Sequence, residues 1–396
     1  MVQIVKVKKG REFSFLYHHP WVFSGAIQNE SSLVLKDGAL VKVCDYQNQF
    51  LAWGFFNSKS QIRIRLYSFN EMIVPDEAFF HQKIESAIRM RKSILSQNIF
   101  DNACRLIFSE ADCLSGLVVD KFSNYLSMQF TSLALYLKKE IIVQKLIELI
   151  HPKGIYLRTE KGTAEEEGLE IHDELVWGER AKENILISEN NLVYELNIET
   201  GQKTGFYIDQ RENRLAVRKY ANHRKCADIC SYSGGFSLNL LEGGADFVKI
   251  VDISDKALLL AERNIHLNQF NQAEFIRSDA FKFLENQLKD NQFYDLIVLD
   301  PPKFTHSRSS SKQAIKGYTQ LNTMAMQCMS KGGILVTCSC SGRISKEEFF
   351  QAITNAAIIS KRNIRLLEQR EAAIDHPVNP ECPESAYLKC FIYWVE

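Results

Sequence analysis

No run of apolar residues in this sequence approaches the roughly 20 that a membrane-spanning helix needs. The opening "MVQIVKVKKGREF" also lacks the apolar segment of a signal peptide. The expectation is a cytoplasmic protein with no membrane partner. Prolines number only 8 and no tract is of low complexity, so disorder is not expected to dominate. Charge of either sign is not in excess, with 48 Lys/Arg against 48 Asp/Glu, and bulk electrostatics therefore does not announce a nucleic-acid partner. There is no GxGxxG, which disfavours a nicotinamide dehydrogenase. Ten cysteines are scattered without a repeating spacing, which argues for reduced thiols rather than a disulfide framework.

What is present is a chain of 396 residues, 45% hydrophobic, long enough for two or three domains with real cores. Charge is unevenly spread along it. Residues 1–70 hold nine Lys/Arg against four Asp/Glu, residues 71–200 fourteen against twenty-two, and the remainder twenty-five against twenty-two. The first segment, with "ALVKVCDY", "FLAWGFF" and "IRIRLYSF" broken by Gly, Asn and Asp, reads as a small β-barrel over 1–71. A helical pattern from Asp76 to about Gln97 opens a central α/β unit over 72–184, with strands "CRLIFSE", "GLVVDKF" and "YLSMQFTS" and a helix from Leu133 to Ile150. Its acidic stretch "GTAEEEGLEIHDE" reads as a solvated connector. From 185 to 396 strands and helices alternate, which predicts a doubly wound, mostly parallel sheet of seven strands, with a helix around Thr319 to Met329.

The chemistry gathers at the ends of those strands. "DICSYSGGFS" leaves the first strand and enters a helix, and Gly234 and Gly235 there allow close approach of a ligand to the backbone, or serve only a tight turn. Asp252 ends the second strand, where an acid accepts hydrogen bonds from ribose hydroxyls in doubly wound folds; a helix N-cap is the alternative. Asp279 ends the third strand in "RSDAF", and Asp300 the fourth in "LIVLDPPKF". "TCSCSG" follows the fifth, and its cysteines could pack, ligate a metal, pair, or include one nucleophile. Metal is disfavoured because Cys226, Cys230, Cys338 and Cys340 do not form CxxC pairs. A disulfide between Cys338 and Cys340 is geometrically poor.

"DICSYSGGF", "VDIS", "SDAF" and "DPPKF" resemble the motifs of class I S-adenosylmethionine-dependent methyltransferases. With "KTGFYIDQR", "TCSCSG" and "HHPWVFSGAI", the whole chain resembles the bacterial 23S ribosomal RNA cytosine-C5 methyltransferase I family. The resemblance implies an N-terminal PUA RNA-binding barrel, a small central α/β domain and a C-terminal Rossmann-like methyltransferase domain. It implies S-adenosyl-L-methionine as cofactor, bound along Phe206, Tyr207, Asp209, Gln210, Cys230, Ser231, Ser233, Gly234, Asp252, Ile253, Asp279, Ala280, Asp300 and Pro302. It makes Cys340 the nucleophile and Cys338 strand-end packing, with Asp300 beside the target base. Cytosine C5 is a poor nucleophile until a thiolate adds at C6, which is the chemical reason for a cysteine. The partner implied is 23S ribosomal RNA, and the resemblance also allows a homodimer.

For RNA contact the sequence offers Lys303, Arg308 and Lys312 beside "DPPKF", and Trp21, Phe23, Arg63 and Arg65 in the first segment, where Trp21 and Phe23 could instead be core. "QRENRLAVRKYANHRK" adds Arg211, Arg214, Arg218, Lys219, Arg224 and Lys225, each with a solvated surface as its ordinary alternative. Two other readings stay open. One is a methyltransferase for another base position, since "DPP" resembles the signature of amino-methyltransferases; the other is a non-catalytic RNA-binding ribosome assembly factor.

Overall fold

The computed structural model describes residues 2–28, 34–170, 172–182, 184–304 and 311–396. Its chain divides into two compact units, one of residues 1–187, 196–208 and 374–385, the other of 188–195, 209–373 and 386–396.

In the first unit, β1 (Gln3–Lys6), β2 (Trp21–Phe23), β3 (Leu40–Cys44), β4 (Phe50–Phe56) and β5 (Ile62–Ser68) form a sheet in the order β1-β3-β4-β5-β2. A bridge between Val7 and Ile27 joins its two edges, closing the sheet. Closure removes the unpaired edge that a small open sheet would expose. Val5, Val22, Val41, Val43, Ile64 and Leu66 fill the interior.

A second five-stranded sheet contains β6 (Ala103–Phe108), β7 (Leu117–Phe122), β8 (Tyr125–Phe130), β9 (Gly154–Leu157) and β10 (Glu174–Gly178), in the order β10-β9-β8-β7-β6. β8 and β9 are parallel, so a crossover is required, and helix Lys139–Ile150 lies between them in sequence. The expected single helix from Leu133 is in fact two, Leu133–Tyr136 and Lys139–Ile150. Helix Glu77–Ile94 starts at Asp76, whose carboxylate accepts the Phe79 N–H, which is why the acidic first turn was a sound start signal.

The acidic stretch is not simply a solvated connector. It contains helix Lys161–Glu167, and Glu167 is buried. Arg65 donates to its carboxylate at 3.0 Å, Ser60 at 2.5 Å and Asn57 at 3.3 Å. One acid of the run is thus neutralised in the interior, while Glu165 and Glu166 remain exposed.

Sequence analysis missed β11 (Ile185–Glu189) and β12 (Leu192–Leu196), a two-stranded sheet whose alternating buried residues carry the signal. The remaining strands are β13 (Lys225–Ile229), β14 (Phe247–Asp252), β15 (Ala273–Arg277), β16 (Tyr294–Leu299), β17 (Met329–Ser339), β18 (Ile364–Arg370) and β19 (Lys389–Val395). They form the expected seven-stranded sheet, in the order β15-β14-β13-β16-β17-β19-β18. β13 to β17 run parallel to one another, and β19 runs antiparallel to both β17 and β18. The inner strands β13, β16 and β19 are buried on both faces and read as apolar runs such as "LIVL" rather than alternations. The helix expected near Thr319 begins earlier, at Ser311.

The strand order reverses between β13 and β16. Open parallel sheets bind ligands at such a reversal, beyond the carboxyl ends of the strands. Among the described residues no helix is long and apolar enough to cross a membrane.

Candidate active site at the carboxyl edge of the large sheet

β13 ends in a turn where Cys230, Tyr232 and Gly234 all have positive φ, 64°, 49° and 75°. Two non-glycine residues in this region are unusual and mark a turn held by its surroundings. Ser231 N–H donates to the Val251 carbonyl, and Asp252 receives the Tyr232 N–H at 3.0 Å. The glycines answer to packing as well as to any ligand. A Cβ on Gly234 would lie 3.2 Å from that of Ala261, and one on Gly235 would lie 2.8 Å from Arg214 Cδ.

Asp252 is not the cap of the following helix. Ser254 caps it, accepting the Ala257 N–H, while the second Asp252 oxygen takes the Ser254 N–H at 2.9 Å. Asp279 does cap a helix, receiving the N–H groups of Phe281 and Lys282, and it is exposed. Ala280 begins that helix, half-buried; Ile253 and Pro302 are exposed and Ser233 is buried.

Burial pushes the Cys230 thiol far up, and the charges of Asp252, Asp300, Asp228 and Asp279 push it further. Four carboxyl groups therefore converge on one turn. Asp228 Oδ1 and Ser231 Oγ are buried there without a hydrogen-bond partner among the described residues. A buried polar atom left in that state is costly, so both call for a ligand's polar groups. Negative potential with orphaned acceptors fits a ligand that carries positive charge and donates hydrogen bonds.

Asp300 follows β16, half-buried, and its Oδ2 receives the Gln210 amide at 3.0 Å. Gln210 Oε1 in turn accepts from Asn213 at 2.7 Å, and Asn213 Oδ1 accepts from Arg370 at 3.1 Å. This chain of donors fixes the carboxylate's orientation, and no local motif around "DPPKF" signals it. Asp209 receives the hydroxyl of Tyr387. Phe206 and Tyr207 belong to the first unit, where Phe206 is buried and the Tyr207 hydroxyl donates to Gln202 at 2.6 Å.

Cys340 directly follows β17 and is half-buried, with Sγ 4.0 Å from the Pro301 carbonyl. "TCSCSG" and "DPPKF" are thus brought together. Cys338 is fully buried opposite Cys390 in the sheet; that neighbouring thiol and burial hold it well above the usual thiol range. The two cysteines of the motif occupy different environments.

The basic side chains divide as well. Arg211 and Arg214 are buried, Arg214 against Glu189, and Arg218 and Arg224 donate to the backbone oxygens of Asn190 and Asp295. The expected phosphate-holding cluster on this segment is therefore largely structural. Lys303 and Lys312 are exposed, and Arg308 lies outside the described residues. In the first unit Arg65 is buried between Glu110 and Glu167, which removes it as a surface contact. Arg63 folds back onto the carbonyls of Asn57 and Ser60, and the Trp21 indole N–H donates to Glu110 at 2.9 Å.

Among the described residues one group, His19, Cys382 and Glu384, has metal-ligand spacing. His19 Nδ1 accepts the Trp21 backbone N–H, so Nε2 carries the ring proton and donates to Glu384 at 3.3 Å. Both ring nitrogens are thereby occupied without an ion.

Residues 5–69 match the model of a PUA-like domain, and residues 172–393 that of an S-adenosylmethionine-dependent methyltransferase. A ribosomal RNA large subunit methyltransferase I from Escherichia coli is 37% identical over 388 residues, covering 97% of each chain. A putative S-adenosylmethionine-dependent methyltransferase from Streptococcus mutans superposes with a TM-score of 0.85 at 20% identity, covering both chains fully. A putative methyltransferase solved with S-adenosylhomocysteine gives 0.87 at 19%, again over both chains. The sheet order, the acid-lined turn and these similarities agree: the chain belongs to the ribosomal RNA large subunit methyltransferase I family, S-adenosylmethionine-dependent methyltransferases with a PUA-like N-terminal domain.

Proposed function

We propose that this protein methylates C5 of a cytosine in 23S ribosomal RNA, in the cytoplasm, through a covalent adduct between Cys340 and C6. One observation carries the reading: a half-buried thiol stands 4.0 Å from the carbonyl of the turn that bears Asp300. Methylation of an exocyclic amine would need no thiol there.

S-adenosylmethionine supplies an electrophilic methyl group on a sulfonium cation. Asp252 would take the ribose hydroxyls, Asp279 and Ala280 the adenine, and the turn from Cys230 to Gly234 with Asp209 and Gln210 the methionine end. The converging carboxylates suit the positive sulfur. Cys340 Sγ adds to C6, which makes C5 enamine-like and places negative charge on the ring. Asp300, oriented by Gln210, faces the base and would hold a proton at N3 as that charge develops. When C5 takes the methyl group, S-adenosylhomocysteine is left; a general base then removes the C5 proton, the electron pair re-forms the C5–C6 double bond and expels Sγ as thiolate, and the N3 proton returns to Asp300. A cytosine in structured RNA must leave its stack to reach Sγ. Residues 1–71, 72–184 and 185–396 would then act as RNA-binding, connecting and catalytic modules, with Lys303 and Lys312 on phosphates.

Incubation with RNA containing 5-azacytidine tests this. Wild type and Cys338→Ala should form a denaturation-resistant adduct, and Cys340→Ala should form none and methylate no cytosine. An adduct that persists without Cys340 sinks the mechanism.

A further inference from the structure

The loop that begins at Cys340 is held by one buried side chain from another strand. Lys389 opens β19, pairs with Ser339 in the sheet and is 5% exposed. Its Nζ donates to the carbonyls of Ser341 at 2.6 Å, Ile344 at 2.7 Å and Tyr387 at 2.9 Å. Three ammonium protons meet three backbone oxygens, which satisfies the donors. The charge itself has no carboxylate within salt-bridge distance among the described residues. An unpaired buried cation is expensive, and a neutral side chain could tie a loop at lower cost.

The anion that would justify the charge is the thiolate of Cys340. Burial lowers the Lys389 ammonium to about 8, against the opposing pull of Cys340 and then Glu348. Glu348 is engaged elsewhere, its carboxylate accepting the Ser345 N–H at 2.7 Å in a capping box. Among the described residues, Tyr318 on helix Ser311–Gln327 interacts with Cys340, and also with Asp300 after β16 and Cys338 on β17. A carboxylate cannot favour a second anion; burial holds the Tyr318 proton, and the Cys390 thiol together with burial holds that of Cys338. Among these described groups Lys389 is the cation.

We propose that Lys389 is a positioning residue for Cys340, its ammonium fixing the loop that carries the thiol and supplying the buried positive charge that favours the thiolate. This rests on the reading of Cys340 as the nucleophile. In the full-length protein, the rate of iodoacetamide alkylation at Cys340, read by peptide mass spectrometry across pH, gives the thiol's titration midpoint. The wild-type midpoint should lie below the ordinary thiol value of about 8.5. Lys389→Gln, which keeps an amide donor but no charge, should raise it by at least one pH unit and slow alkylation about tenfold at pH 7, whereas Lys389→Arg should retain it. A midpoint unchanged in Lys389→Gln means that Lys389 only ties the loop and overturns the proposal. If that variant does not fold, wild type decides: a midpoint at or above 8.5 overturns the proposal and one below sustains it. The 5-azacytidine adduct, measured in parallel, separates the two ideas. An adduct that requires Cys340 beside an unmoved midpoint refutes Lys389 alone, and an adduct that survives Cys340→Ala removes the nucleophile reading itself.

Discussion

Glu189 and Arg214 form a two-point ion pair inside the second unit, with Nε–Oε1 at 2.7 Å and Nη2–Oε2 at 2.6 Å, both side chains buried. The pair stands beneath the turn at β13, because Arg214 Cδ occupies the space that a Cβ on Gly235 would need. Burial opposes both charges, and only the pairing tolerates them. Glu189→Gln leaves a buried guanidinium without its anion and should destabilise the protein by about 3–5 kcal/mol. The check is the urea midpoint of purified protein. Exchange of both residues for apolar ones, Glu189→Leu with Arg214→Met, should recover most of the loss; if it does not, the pair contributes more than mutual neutralisation.

Arg65 was a reasonable RNA-binding candidate from sequence, a basic residue on a strand of a barrel. Its guanidinium instead donates to Glu110 at 3.2 Å, Glu167 at 3.0 Å and the Thr131 carbonyl at 2.8 Å. Arg65→Met should cost about 3–5 kcal/mol of stability by stranding two carboxylates, and should leave the salt dependence of RNA affinity in the folded protein unchanged. Lys312→Ala should do the reverse, leaving the melting temperature within a degree or two and lowering the salt slope by about one. RNA titrations at several salt concentrations, with thermal melts, decide both.

Local patterns made much of the site legible, and nonlocal partnerships did not. "VDIS", "SDAF" and "DPPKF" each place an acid at a strand end, and the alternation of strands and helices dictates that those ends share one sheet edge. Nothing near "TCSCSG" points to Lys389, some fifty residues on, because its role follows from the register of β17 with β19. The same limit misassigned "QRENRLAVRKYANHRK": charge density suggests a surface, while Arg211 and Arg214 are buried by a helix that packs against its neighbours. The hairpin of β11 and β12 is not apparent from sequence because its alternation is short and lies at the boundary expected between residues 184 and 185.

Gln210 links the segment before the sheet to Asp300. Its amide donates to the carboxylate and its carbonyl is itself held by Asn213, which sets the orientation of the Gln210 amide. Gln210→Ala removes this donor from Asp300 and should lower the rate of methylation by about ten- to a hundredfold, in line with the loss of an orienting contact. Binding of the methyl donor, measured by calorimetry, should weaken far less. A loss confined to binding, with single-turnover methylation intact, would assign Gln210 to the cofactor alone.

Asp228 should leave a signature in the pH dependence of stability. It is fully buried, its Oδ2 accepting the Ser237 N–H at 2.9 Å and hydroxyl at 2.6 Å, and burial raises its carboxyl group to about 6. The unfolded chain releases this proton near 3.8, so between about pH 4 and pH 6 the folded state binds more protons than the unfolded one. Stability from this group is therefore full below pH 4, falls as pH rises and levels off above 6, a loss of roughly 2–3 kcal/mol. Asp228→Asn cannot titrate and keeps an oxygen for Ser237. Its melting temperature, followed from pH 4 to 8 beside wild type, should lack this downward component, so that the difference between the two proteins changes by several degrees across the window. A difference that stays constant with pH would show that the Asp228 carboxyl group titrates alike in the folded and unfolded chain.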